Sequence, residues 1–344
     1  MQNVEIGKMD KLIIHFVGNK NNGDGVKFSN LLTDFSDVED YISPLINRNF
    51  KTEEFYQFYF NPSLELNPMY HFISSIFNNK DSFIEQSQNA ARYLYDKSNH
   101  PQIKGGELCV AYINDCRFED EEVDCVAIFK SESKETILEV NSLKNGIGLK
   151  NVKGLSTRKL DKGCLIFNTS KEAGFILSVI DNTNRSAEAQ YWKDEFLGVQ
   201  PIKNEYHQTN EFLGITKEFI TKELADVEVS KSDQIELLNR SVDYFKTHSI
   251  FDKEEFVGEV FSDSNIIESF RKFDQQFREE KEVELADHFE ISSSAVKRQA
   301  KAFKRVLKLD KNFHIYIHGD GELIKQGIEE DGRKFYKIYY QDES

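Results

Sequence analysis

The chain has 344 residues, 39% of them hydrophobic and 28 of them Phe, which excludes a disordered protein and leaves room for a substantial core, even two domains. Its formal net charge of -15 excludes an indiscriminately cationic protein, so any contact with nucleic acid has to be local. No apolar run reaches the roughly eighteen residues of a membrane span and Met1 opens no signal-peptide pattern, so a cytoplasmic protein is expected.

In chain order, Lys11 to Val17 and Val26 to Phe28 read as strands around the turn-rich GNKNNGDG. The glycines there lack phosphate-loop spacing and no GK[ST] follows, so nucleotide binding is not expected. Asn30 to Asn79 is aromatic and helical in tendency, with Leu32, Phe35, Val38, Tyr41 and Ile42 at helical intervals and Phe55, Tyr56, Phe58 and Tyr59 beyond them. A further helix starts at Asp81 and turns Ile84, Ala91 and Leu94 inward.

From Glu107 the period becomes that of strands. Glu107 to Ile113, Glu122 to Lys130, Thr136 to Val140, Cys164 to Thr169 and Gly174 to Ile180 are short, apolar and β-branched, and predict a five-stranded antiparallel sheet. Several are apolar on both faces, so helices should cover the sheet in an α+β arrangement. The acidic link Glu119 to Glu122 reads as a solvated hairpin tip. Cys109, Cys116, Cys125 and Cys164 lack CxxC spacing and read as buried, reduced thiols rather than disulfides or a zinc site.

After Asn182 the pattern is helical to about Asp310, which sets the expected domains at residues 1–190 and 191–344. Tyr191 to Gly198, YWKDEFLG, reads as a helix stopped by Gly198, with Pro201 beyond it. In Ser264 to Lys281, Ile266, Phe270, Phe273 and Phe277 form an inward stripe. The final stretch, Phe313 to Tyr340, alternates and predicts a small meander of about three strands. His314, His318 and Asp320 in it lack a supporting ligand, so no metal or other cofactor is expected.

Two windows break the acidic trend. Ser292 to Lys311 carries seven Lys and Arg against Asp310, and Leu143 to Lys162 carries six against Asp161. In the first, a helix capped by Ser292 or Ser293 and starting near Ser294 would turn Val296, Ala300, Phe303 and Leu307 inward. Lys297, Lys301, Lys304 and Lys308 then form a second stripe, flanked by Arg298 and Arg305. With a shorter helix over Val283 to Phe289, the pair reads like a helix-turn-helix, although Glu290 stands where the turn usually has Gly. The second window reads as a mobile, glycine-containing loop from Asn141 to Lys162, whose Lys144, Lys150, Lys153, Arg158, Lys159 and Lys162 reach toward phosphates.

Three segments together resemble one family. Gly105 to Glu132 (GGELCVAYINDCRFEDEEVDCVAIFKSE) is similar to its central paired strands, Tyr191 to Gly198 to its aromatic segment ending in FLG, and Phe313 to Tyr340 to its closing strands. The family is that of bacterial nucleoid-associated proteins of the NdpA/YejK type. The resemblance implies a cytoplasmic protein located on the nucleoid, associated with double-stranded DNA and not known for catalysis; it supplies no contact residues.

The expected function is therefore non-enzymatic, low-specificity binding of double-stranded DNA, with Lys297, Arg298, Lys301, Lys304, Arg305 and Lys308 as main contacts and Lys150, Lys153, Arg158 and Lys159 as auxiliaries. A homodimer would double that footprint. The alternative is an adaptor recruited through another nucleoid protein, which the acidic remainder of the chain favours. Catalysis is not expected: there is no nucleophile elbow, HExxH, Walker motif or readable carboxylate pair.

Overall fold

The computed structural model describes residues 4–50, 54–183, 191–226, 229–303, 306–309, 312–316 and 323–342. The chain divides into two compact units, Met1–Ile202 and Lys203–Ser344.

The first unit contains strands β1 (Val4–Glu5), β2 (Lys8–Val17) and β3 (Val26–Lys27), helix α1 (Glu39–Asn49), β4 (Phe55–Phe58), and helices α2 (Pro68–Asn78) and α3 (Phe83–Lys97). Then come β5 (Gly106–Phe118), β6 (Glu121–Ser131), β7 (Glu135–Leu143), β8 (Gly146–Gly154), β9 (Lys162–Phe167), β10 (Ile176–Asp181) and β11 (Val199–Pro201). A nine-stranded antiparallel sheet runs in the order β11-β4-β10-β9-β6-β5-β2-β3, with β1 also on β5.

The sheet differs from the sequence expectation in three ways. It has nine strands rather than five; Phe55–Phe58 is a strand between β10 and β11 rather than helix; and Thr136 to Val140 lies outside it, in a separate β7-β8 hairpin. The hairpin also replaces much of the expected loop from Asn141 to Lys162.

Alternation explains why the central strands read as apolar throughout. Leu108, Val110, Tyr112, Val126, Ile128, Cys164 and Ile166 pack on one face with Ile73, Ile76, Ala91 and Leu94 of α2 and α3. Cys109, Ala111, Ile113, Cys125, Ala127, Leu165 and Phe167 pack on the other with Leu45 and Ile46 of α1 and with Phe50. The central stretches of these strands, Leu108 to Ile113, Cys125 to Lys130 and Lys162 to Phe167, are therefore buried on both faces, the arrangement that removes the polar face of a half-exposed strand. All four cysteines are buried and free, and burial pushes the Cys109 thiol up to about 12.

One end of the sheet holds a buried ionic network. Lys130 and Lys162 are register neighbours on β6 and β9, and both are fully buried. Lys130 Nζ donates to the Lys104 carbonyl at 2.6 Å and to Glu132 Oε1 at 3.1 Å; Lys162 Nζ donates to both Asp181 oxygens, at 2.8 and 2.9 Å, and to Thr183 Oγ1 at 2.6 Å. The Tyr191 ring lies 5.8 Å from one ammonium and 5.2 Å from the other, and its hydroxyl donates to Glu132 at 2.9 Å.

Tyr191 opens the YWKDEFLG segment, which makes a π-helical turn over Lys193–Leu197 and stops at Gly198, φ +62°. Asn67 fixes that stop: its Nδ2 donates to the carbonyls of Tyr59, Leu197 and Gly198 at 2.9 to 3.1 Å, while its Oδ1 accepts from the Tyr70 amide at the start of α2.

The second unit runs α4 (Glu205–Glu218), a π-helical turn over Phe219–Glu223, α5 (Leu224–Asp226), α6 (Lys231–Thr247), β12 (Ile250–Asp252), α7 (Lys253–Phe261), α8 (Ser264–Lys281), β13 (His288–Glu290) and α9 (Ser293–Ala302). Two hairpins close it: β14 (Val306–Leu309) with β15 (Phe313–Tyr316), and β16 (Ile324–Ile328) with β17 (Lys334–Ile338). Asn204, Ser230, Asp252, Asp263 and Ser292 cap α4, α6, α7, α8 and α9 with side-chain oxygens, as their residue types favour. The core is built on phenylalanine: Phe212 packs 4.3 Å from Phe251 and 5.2 Å from Phe256, and Phe270 lies 4.8 Å from Phe261, centroid to centroid. The chain is thus α+β, an antiparallel sheet with helices followed by a helical region ending in small strands.

Two outcomes test this packing. His15, buried between the Ser29 amide, which donates to its Nδ1, and Ser87 Oγ, has its pKa lowered by burial to about 4. Because the folded value lies below the unfolded one, the neutral ring's contribution is complete above about pH 6.5 and is lost as pH falls toward 4. Denaturant titrations should show that loss, on the order of 3 kcal/mol, and His15→Gln should flatten it. Gly198→Ala should cost at least about 2 kcal/mol, since a Cβ there combines a left-handed backbone with an approach of 2.7 Å to Asn67 Nδ2.

Candidate nucleic-acid interface

The cationic helix begins where the sequence places it. Ser292 Oγ accepts from the Ala295 amide at 3.5 Å, and its own amide donates to Thr209 Oγ1 of α4 at 3.0 Å, which seats the helix start on its neighbour. Ala295, Val296 and Phe303 are buried, with Ala300 packed beside the same core. Gln299 Nε2 donates to Asn210 Oδ1 at 2.7 Å and ties the middle of α9 to α4. The inward face includes Val296, Ala300 and Phe303 of the expected stripe, but Leu307, its fourth member, lies on β14 opposite Ile315 instead of on the helix.

The cationic stripe is shorter than expected, because α9 ends at Ala302 and Val306–Leu309 pairs as a strand with β15. Lys297 and Lys301, one turn apart, are exposed on one helix face. Arg298 is also exposed, and its guanidinium donates to the Tyr206 hydroxyl at 2.8 Å. Lys308 belongs to β14, so it does not continue the helical row; its side chain, with Lys304 and Arg305 entirely, lies outside the described residues. One cation that the sequence reading missed joins this region: Lys217 of α4, whose Nζ lies 5.8 Å from the Phe303 ring. Only the packing of α4 on α9 brings it there.

The helix-turn-helix is not formed. Glu282, φ +53°, turns the chain out of α8; the Leu285 carbonyl then accepts from Arg278 at 2.9 Å and the Asp287 carbonyl from the Lys253 amide at 3.0 Å. His288–Glu290 pairs with β12, and the Phe289 ring stacks on Phe251 at 4.5 Å. These contacts require an extended chain where the expected short helix would lie.

The second basic window belongs to the first unit. Lys150 and Lys153 project from β8, opposite Glu139 and Thr136 of β7, and both are exposed. Arg158 and Lys159 are exposed in the connection to β9, where their amides donate to Ser156 Oγ at 3.2 Å and the Arg158 carbonyl accepts from Asn49. Lys162, the last cation of that window, is no phosphate contact: it is buried on Asp181.

His314 is exposed on β15, and its sequence companions His318 and Asp320 lie outside the described residues. Among the described residues, His248, Glu255 and Glu259 offer ligand atoms within 4.8 Å of one another. Glu255 already accepts from the Tyr244 hydroxyl at 2.8 Å, and His248 Nδ1 contacts the Tyr244 carbonyl at 3.0 Å. No described helix is long and apolar enough to cross a membrane.

The two groups of cations differ sharply from the buried lysines in what their loss should do to stability. Lys297→Gln with Lys301→Gln should leave the denaturation midpoint nearly unchanged, within about 0.5 kcal/mol, because both are exposed. Lys162→Met should cost several kcal/mol, about 3 to 5, by leaving the largely buried Asp181 carboxylate without its ammonium.

A family model described as nucleoid-associated protein YejK matches residues 13–344. A search of curated proteins finds no match.

Proposed function

Because the chain belongs to the family of the nucleoid-associated protein YejK, we propose that it binds double-stranded DNA directly, mainly through phosphates and with little sequence preference, without catalysing a reaction and within the cytoplasmic nucleoid. The observation that carries this reading is the segregation of exposed cations on a chain of net charge -15: Lys297 and Lys301 side by side on α9, with Arg298 beside them. On an acidic chain, such grouping keeps phosphate contact local.

The proposed contacts are Lys297, Arg298, Lys301, Lys304, Arg305 and Lys308, joined by Lys150, Lys153, Arg158 and Lys159 of the first unit. Lysine ammoniums on exposed stems neutralise phosphates without reading base edges, which gives affinity without specificity. Each neutralised phosphate releases condensed counterions, so about six contacts give a slope near -5 for log affinity against log salt.

Binding to a duplex of random sequence across a salt series tests the reading. The wild type should bind with that steep slope. Lys297→Gln with Lys301→Gln should weaken binding on every sequence alike and make the slope shallower by about 2, roughly one unit per phosphate lost. Absence of binding at low salt would reject direct recognition and favour an adaptor docked on another nucleoid protein through its acidic surface.

A further inference from the structure

Among the described residues the β7-β8 hairpin pairs with no third strand, and none of its eighteen strand residues is buried. An isolated two-stranded ribbon is marginal in water, and exposed apolar ribbons with open edges invite pairing.

The register resolves its two faces. Leu143 lies over Gly148, Ile137 faces Val152, and Glu139 faces Lys150 on one of them. The other carries Leu138, Val140, Ile147 and Leu149, exposed to 64%, 66%, 80% and 69%, with Val140 directly opposite Leu149. We propose that this second face is an interface between two copies of the chain, packed ribbon on ribbon about a two-fold axis.

The pattern is self-complementary. A two-fold axis through the Val140–Leu149 pair brings Leu138 of one copy to the end of the ribbon that carries Ile147 of the partner subunit, which is what an isologous contact requires. The area agrees with a reversible dimer. At roughly 100 Å² per aliphatic side chain, these four residues leave roughly 300 Å² of apolar surface in water. With the usual ~57% apolar content of interfaces, each copy buries roughly 500 Å², and the pair about 1,000 Å², the lower limit for a specific contact.

Charge argues for a second copy rather than a nucleic-acid groove as the occupant. From Glu135 to Gly154, Lys144, Lys150 and Lys153 are set against Glu135 and Glu139, a net of +1. That is too little for the ribbon to hold a run of phosphates by itself, which leaves Lys150 and Lys153 an auxiliary role there, whereas a nearly neutral apolar face suits protein.

Sedimentation velocity over a concentration series, on the full chain, tests the proposal. The wild type should move from its 40.0 kDa monomer toward twice that mass as concentration rises. Ile147→Glu with Leu149→Glu should remain monomeric at every concentration, with an unchanged circular dichroism spectrum because both side chains are exposed. A wild type that stays monomeric throughout overturns the proposal, as does a variant that dimerises like the wild type. Duplex binding of the same variant, measured at a concentration where the wild type is monomeric, separates the readings. Unchanged affinity supports a dimer through apolar side chains that DNA does not use, even with the auxiliary Lys150 and Lys153 on the same ribbon; lost affinity assigns those apolar side chains to DNA and overturns the dimer.

Discussion

Two ammonium groups buried side by side are the constraint around which the first unit is arranged. Lys130 and Lys162 occupy neighbouring positions on paired strands, both fully buried, where burial and the adjacent Lys162 disfavour the Lys130 charge. Burial pushes the Lys130 pKa down, and the adjacent Glu132 carboxylate opposes that shift. Such a pair persists only where carboxylates and carbonyls meet it with good geometry. The chain supplies them from separate places: Glu132 on the exit from β6, Asp181 at the end of β10, and the Lys104 carbonyl before β5.

That requirement explains the docking of the YWKDEFLG segment. Tyr191 lies against both ammoniums, and the indole of Trp192 donates to the Gly163 carbonyl at 3.3 Å, directly beside Lys162. Phe196 and Leu197 then enter the core, and Gly198 reverses the chain into β11 under the hold of Asn67. The segment that marks the family resemblance is therefore architectural: it closes one end of the sheet over a polar network that water would otherwise enter. Asp161 adds to the same closure, its carboxylate accepting from the Glu132 and Ser133 amides at 2.7 and 2.8 Å.

The second unit answers a different problem, since its core is assembled from phenylalanine rings contributed by α4, α6, α7, α8 and the β12–β13 pair. Interlocking aromatic rings fix helix positions through edge-to-face and offset contacts. Phe251 and Phe289 do this from strands, which is why the chain entering α9 is extended; the exposed charges of α9 among the described residues are Lys297, Arg298 and Lys301. The cations are on the surface because Val296, Ala300 and Phe303 are drawn inward.

Periodicity and local chemistry by themselves determined the strands at the centre of the sheet, β2, β5, β6, β9 and β10, the buried thiols, a serine cap at Ser292 or Ser293, and the inward set Val296, Ala300 and Phe303. Each follows from local chemistry: alternation, β-branched content, or a hydroxyl beside free amides. The family, too, was legible, in the strand pair around Cys109 and Cys125 and in YWKDEFLG. What depended on partners distant in sequence was decided only by the tertiary structure. Phe55–Phe58 is a strand because β10 and β11 flank it, and Val283 to Phe289 is no helix because Arg278, Lys253 and Phe251 hold it extended. Lys162 resembled its neighbours Lys150, Lys153 and Lys159 in the sequence, yet Asp181, nineteen residues onward, takes it into the core. A charge in a sequence has a sign but no depth, and depth is fixed by the carboxylates and rings that folding brings to it.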